Sequence, residues 1–300
     1  MRKMQKITGG LMIGITTMSV ILIIAIILVI LVVIIMGGKD YFSWEFLTAF
    51  PEDGMTKGGI FPAIYGTALL VLIMSVAAVP FGTITAIYLT EYARENSFIS
   101  RTIRFAIKTL AMVPSIIFGL FGLGFFIKFV GGGMDQAFLG GQLKWAQPNI
   151  LWASLTMALL TLPVVIVSVE ESLRTIPREL REASLALGAT KWQTIRRIIL
   201  PGARSSILTG TILAISRGAG EVAPILFTGA AYYLAEIPEK MSDQFMSLGY
   251  HIYIMSTQST NVDETLPIQF ATTLVLLLLT FSLSMSAVIL RYRIRKKANR

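Results

Sequence analysis

Arg217 is the side chain best placed to do chemistry in this sequence, with Glu221 four residues on and Pro224 just beyond. An arginine fork donates two parallel hydrogen bonds and stays protonated, which suits a tetrahedral oxyanion. Glu221 falls at i+4, on the same face of a helix and one turn further along. Pro224 has no N–H and crowds the carbonyl of Gly220, so a break in that helix is expected beside the pair. A structural ion pair that only fixes packing is the plainer alternative. Both roles can coexist, with Glu221 holding Arg217 until an anion or a second subunit competes. Other chemistry is poorly supplied: the chain has no cysteine and one histidine, His251, so zinc sets and Cys/His or Ser/His nucleophiles are not expected. No G-x-x-x-x-G-K-S/T loop occurs, so the chain is not expected to be an enzyme that cradles nucleotide phosphates.

The elements that must position these residues are built for lipid. Of 300 residues, 54% are hydrophobic and 14% are charged, against about 25% charged in soluble domains. The apolar residues come in blocks and lack the period of a surface helix or half-buried strand. Six blocks predict spanning helices at 11–36, 61–91, 103–128, 149–170, 206–229 and 267–290. Each exceeds the ~20 residues needed to cross the hydrocarbon core, and helices satisfy every backbone group internally. The second and third are long enough for part of each to tilt or project into the cytoplasm. Arg2, Lys3 and Lys6 precede the first block, but it is far longer than the ~7–15 apolar residues of a secretory signal. Arg217 then lies about 11 residues, or roughly 17 Å, into the fifth span. That is near the middle of a ~30 Å core, where a charge costs from about 3 to over 10 kcal/mol and turns to the bundle interior.

Twenty of the 26 Lys and Arg lie on one side of these spans: in the N-terminal tail, around 94–108, in 174–204 and in 291–300. The positive-inside rule makes that side, and both termini, cytoplasmic. The net charge of +9 is thus a topology signal and predicts no nucleic-acid partner. The 291–300 run anchors the chain near anionic lipid heads. The opposite segment 230–266 is acidic, and its stretch 245–255 predicts a helix on, or dipping into, the outer surface. His251 falls there and is expected to be packed.

The loop between the fourth and fifth spans is the most informative. After Pro177, the spacing of Leu180, Ala183 and Leu187 predicts a short helix over about 179–189 that stops near Gly188. A second helical piece over 191–200 is expected to end at Pro201. A protruding apolar and acidic surface in the cytoplasm suits a soluble partner. Glu182-Ala183-Ser184, Gly188, Ile198, Leu200 and Pro201 match E-A-A-x-x-x-G-(nine residues)-I-x-L-P, and here the sequence resembles the ABC importer permeases. Ser184 alone departs, one small residue for another. Further stretches resemble one branch, the A-type membrane subunit of the phosphate-specific transport (Pst) system. These are Ile64-Tyr65-Gly66-Thr67, Ala86 to Tyr92, Val113 to Gly122, and Ser216 to Pro224.

The resemblance implies an all-α integral membrane protein with six spans of the type I importer architecture. Residues 1–60 would form the N-terminal tail, first span and outer loop, and 61–300 the permease domain with a coupling helix at about 179–189. Glu182, Ala183, Ser184, Gly188, Leu200 and Pro201 would serve coupling to the ATPase, and Arg217 with Glu221 the substrate pathway. Implied partners are a second homologous permease, a dimer of ATPase subunits on the cytoplasmic face, an extracytoplasmic phosphate-binding protein and the bilayer of a prokaryotic cell membrane. No cofactor belongs to this chain; ATP and Mg would be held by the ATPase. Because Arg217 cannot neutralise hydrogen phosphate alone, the second permease must contribute to the pathway. Molybdate or sulfate remains an alternative substrate, and an ion-coupled secondary transporter using Glu221 is a rival of another class.

Overall fold

Every apolar block becomes helical, because a chain in lipid must pair its backbone N–H and C=O groups within each segment. The computed structural model describes residues 2–53, 57–94, 97–234, 236–259 and 262–298, without the side chains of 2–8, 262, 295 and 297–298. The basic side chains of Arg2, Lys3, Lys6, Arg295, Lys297 and Arg300, part of the orientation argument, therefore lie outside the described residues.

In chain order come α1 (Arg2–Gly38), α2 (Trp44–Thr48), β1 (Pro51–Glu52), β2 (Lys57–Gly58), α3 (Phe61–Ile87), α4 (Phe98–Met112), α5 (Ser115–Phe121) and α6 (Gly132–Phe138). There follow α7 (Ile150–Arg174), α8 (Arg178–Ala186), α9 (Lys191–Thr194), α10 (Leu200–Gly218), α11 (Leu248–Thr257) and α12 (Val262–Ala298). The two strands form an antiparallel hairpin with Pro51 opposite Gly58 and Glu52 opposite Lys57. Wider π-helical turns at Tyr88–Tyr92, Gly122–Gly131 and Ile195–Ile199 extend α3, join α5 to α6, and join α9 to α10.

Six helical runs among the described residues are long and apolar enough to span: Gly9–Gly38, Phe61–Tyr92, Ser115–Phe138, Ile150–Arg174, Lys191–Gly218 and Asp263–Ile294. The first, second, fourth and sixth overlie the predicted spans. The third does not start at 103. Pro114 pushes the residue before it out of the helical region, and Val113 sits at φ −70, ψ 130. Upstream, α4 is a separate helix that buries Ser100 and Ile107 and leaves Phe98, Phe105 and Met112 exposed.

The fifth span also moves. Contrary to expectation, Pro201 does not end the second cytoplasmic piece: α9, the Ile195–Ile199 turn and α10 form one helical run. The π turn interrupts the regular α-helical pairing, and Pro201 stands in the first positions after it. The run then stops at Gly218, well short of the predicted 229. Gly220 and Glu221 close tight turns onto the carbonyls of Arg217 (3.3 Å) and Gly218 (3.1 Å), and Ile225–Phe227 make a single 3-10 turn. A Cβ on Gly218 would lie 2.7 Å from Thr161 and 3.2 Å from Met74, residues midway along α7 and α3. The helix therefore ends at mid-depth. Beyond it the irregular backbone is tolerated because protein surrounds it, as the burial of Ile225 shows.

The most buried span is α7, which packs above all on α3. Around that pair one cluster gathers Leu70, Met74, Met157, Ile225 and Phe245, and a cytoplasmic cluster gathers Leu89, Val169, Leu173, Ile195 and Ile199. By contrast α1 packs chiefly on α12, with nearly all the side chains of its apolar stretch within Gly9–Gly38 left exposed, to face lipid. The outer helix expected over 245–255 is α11, and it lies within the core. Leu248, His251, Ile254 and Met255 are buried against α12 and α3, and the Leu248 N–H donates to Thr67 Oγ1 at 2.9 Å. His251 is packed, with neither ring nitrogen hydrogen-bonded.

Candidate functional site

At mid-depth, the broken end of α10 opens onto a cavity of about 310 Å³ lined by Arg217, Glu221, Thr161, Ser115 and the end of α4. A second, mostly apolar hollow of about 420 Å³ is also lined by Arg217, together with Leu213, Leu277 and Phe281. Arg217 is exposed in the isolated chain and Glu221 half-buried. The expectation of one helix face at i+4 is corrected here: Gly218 ends the helix between them, and no ion pair joins them. The positions still converge, because both line the same cavity. Arg217 stands in the last turn of α10, where the partial negative charge of the free carbonyls favours a cation. That same dipole disfavours an anion, so further donors must come from elsewhere. Among the described residues no group of three or more His, Asp or Glu is arranged to hold a metal.

At the cytoplasmic face, Pro177 starts α8 and Gly188 ends it. Gly188 adopts φ +84, the left-handed region that favours glycine after a helix. Its N–H returns to the Leu185 carbonyl (3.0 Å) and that of Ala189 to the Ser184 carbonyl (3.2 Å), which satisfies orphan carbonyls of the helix end. Thr190 and Gln193 then form a capping box for α9. Glu182 and Ala183 are exposed on α8. Ser184 turns inward instead, its hydroxyl 2.9 Å from that of Thr194, so this small residue closes α8 onto α9. Leu200 is half-buried and Pro201 exposed within the continuous run. Leu187 is 89% exposed and Trp192 54%; the first belongs to the protruding apolar surface expected here, and the second was not singled out from the sequence.

Sequence reasoning also missed the partly buried ion pairs near α8. Glu91, in the turn that ends the second span, accepts from Arg181 Nη2 and Nε at 3.1 and 3.2 Å. Glu170 accepts from Arg104 and, at 2.8 Å, from Arg174. The available signal was carboxylates at the cytoplasmic ends of spans, where an unpaired buried charge is costly.

Comparison with known proteins agrees with this architecture. Residues 78–296 match the family described as the binding-protein-dependent transport system inner membrane component. The chain is 31% identical over 224 residues to the probable ABC transporter permease protein YqgI of Bacillus subtilis, covering 75% of this chain and 71% of that one. Identity to the phosphate transport system permease protein PstA of Haemophilus influenzae is 33% over 237 residues, covering 79% and 74%. To PstA 1 of Mycobacterium tuberculosis it is 41% over 169 residues, covering 56% of this chain and 50% of that relative, so the match spans half the mycobacterial protein. The inward-facing MetNI methionine ABC transporter shares the fold, with a TM-score of 0.59 at 18% identity over 78% of this chain and 97% of that one. Family match, spans and fold together make this chain a member of the binding-protein-dependent transport family, a multi-pass inner-membrane permease component of a bacterial ABC importer and not its catalytic subunit.

Proposed function

We propose that this permease, with a second homologous subunit, forms the translocation pathway for inorganic phosphate. The carrying observation is Arg217, an arginine with no carboxylate partner, lining a mid-depth cavity at a helix break. Broken helices at that depth are where transporters place substrates, and the arginine fork fits an oxyanion. Relatives named as phosphate transport permeases support phosphate over other anions. In this reading the second permease supplies the donors that Arg217 lacks, and an extracytoplasmic phosphate-binding protein delivers the anion. Two ATPase subunits hold ATP and Mg, and one of them docks against Glu182, Ala183 and Leu187 of the α8 region. ATP binding would then shift the population between inward- and outward-facing states.

The test is ATP-dependent uptake of labelled phosphate by the reconstituted importer, with sulfate and molybdate as competitors. Phosphate-selective uptake that Arg217→Gln abolishes with the complex intact, and that Glu182→Lys abolishes with loss of bound ATPase, is expected. Normal transport by Arg217→Gln makes that arginine structural. Preference for another anion refutes phosphate and leaves the importer standing, whereas uptake by this chain without an ATPase would favour an ion-coupled carrier.

A further inference from the structure

We infer that the Glu91–Arg181 pair is the link through which movement of α8 reaches the second and fourth spans. The inference rests on the reading that α8 docks against the ATPase.

Packing joins α8 mainly to α9 and the π turn that follows. Beside α8 lies a cavity of about 430 Å³, bounded by Leu89, Glu91, Arg104, Arg181 and Glu182. Across that gap the connection to the bundle is polar. The two side chains are only 18% and 7% exposed, although the neighbouring Glu182 faces solvent. One guanidinium serves three elements. Its Nε and Nη2 hold Glu91 at the end of the second span, and its remaining N–H groups reach the carbonyls of Leu173 (2.8 Å) and Ile176 (2.5 Å) where α7 ends. An arginine fork is planar and directional, so a tilt of α8 cannot leave both sets of bonds undisturbed. Separating the pair would strand a buried carboxylate, so Glu91 is drawn along with α8.

The far end of this connection is the substrate cavity. From Glu91 the second span runs as one helical element, through the π turn and past Pro80, back to Met74, whose Sδ lies 3.2 Å from where a Cβ on Gly218 would sit. Gly218 adjoins Arg217. A continuous physical route, one helical element plus one ion pair, thus joins the docking surface to the anion site.

The experiment uses the complete importer in proteoliposomes and reads three quantities: ATPase bound, ATP hydrolysed, and phosphate taken up per ATP. Glu91→Gln is expected to keep bound ATPase and hydrolysis while uptake per ATP falls about fivefold or more, the lower range of typical coupling energies. Arg181→Gln, which removes the other half of the pair, is expected to lower the same ratio, and the double variant to fall little further than the larger single loss. Unchanged uptake per ATP in Glu91→Gln overturns the link. So does a double variant whose loss is the product of the two single losses, and so does loss of bound ATPase in Glu91→Gln, which would make the pair a brace for α8. Should Glu91→Gln yield no complex, Glu91→Asp, which keeps the charge and withdraws it by one methylene, is read by the same criteria. Leu187→Asp tests the underlying docking separately: ATPase still bound to that variant refutes the docking surface, whatever Glu91→Gln does to the ratio.

Discussion

Arg217 and Glu221 line one mid-depth cavity and make no ion pair with each other. The carboxylate is therefore not engaged in neutralising the arginine, and its charge acts on whatever enters. Removing it should help an anion. Two charges about 7 Å apart at an effective dielectric near 20 interact by about 2 kcal/mol before screening. Glu221→Gln is therefore expected to lower the apparent KM for phosphate about three- to tenfold, measured as initial uptake against concentration. A raised KM would mean that Glu221 positions the site.

Gly188 offers a separate test of the docking surface. A Cβ there would meet nothing within 4 Å, yet the backbone stands at φ +84. The penalty for Gly188→Ala is thus conformational, about 1 kcal/mol, and is expected as an approximately fivefold loss of co-purified ATPase. Gly188→Asn should recover part of it, because asparagine tolerates the left-handed region. Equal losses for both variants would point to contact with the partner instead.

Gly119 holds the helix break in place from the opposite side. A Cβ there would lie 2.9 Å from the Pro224 carbonyl oxygen and 3.1 Å from that of Ala223. Neither backbone atom can swing aside as a side chain would. Gly119→Ala is expected to destabilise the permease by about 1–3 kcal/mol, read as a lower Tm of the purified complex. It should also reduce uptake more than ATPase binding, since it displaces the segment that carries Glu221.

His251 predicts a dependence on acid. It lies in α11, outside the six spans, and burial pushes its imidazole from 6.5 down to about 4. Between those values the unfolded chain binds a proton that the folded chain excludes. Stability is therefore full above pH 6.5 and is lost progressively as the pH falls towards 4, by about 3 kcal/mol in all. His251→Phe should flatten this part of the curve of Tm against pH. A slope unchanged by the substitution would assign the acid sensitivity to other groups.

Composition made the spans legible, because a block of apolar residues in lipid has essentially one solution. Their boundaries were harder. Hydropathy alone runs through Pro114 and stops short of Phe138, and the π turn that precedes Pro201 leaves no composition signal. The turn at Gly188 could be read from its residue type, since few others adopt that conformation. Ser184 was placed with the residues that serve coupling to the ATPase, and its hydroxyl faces Thr194, an orientation that depends on how α8 lies against α9. The helix end at Gly218 was only half legible: Pro224 announced a break, but close packing on Thr161 and Met74 accompanies an end six residues earlier. Nothing local connects Glu91 with Arg181, because ninety residues separate them and only the folded bundle brings them together.

The π turn at Ile195–Ile199 has a geometric consequence of its own. Such a turn is an α-helix carrying one surplus residue, and each residue advances a helix by about 100°. The surplus residue thus sets the azimuth of α10 relative to the cytoplasmic segment it grows from. Deleting one residue there would restore an ordinary helix and rotate everything downstream by about 100°, swinging Arg217 away from its cavity while α8 kept its place. The phase between the cytoplasmic docking surface and the interior of the bundle is indexed by a single peptide unit.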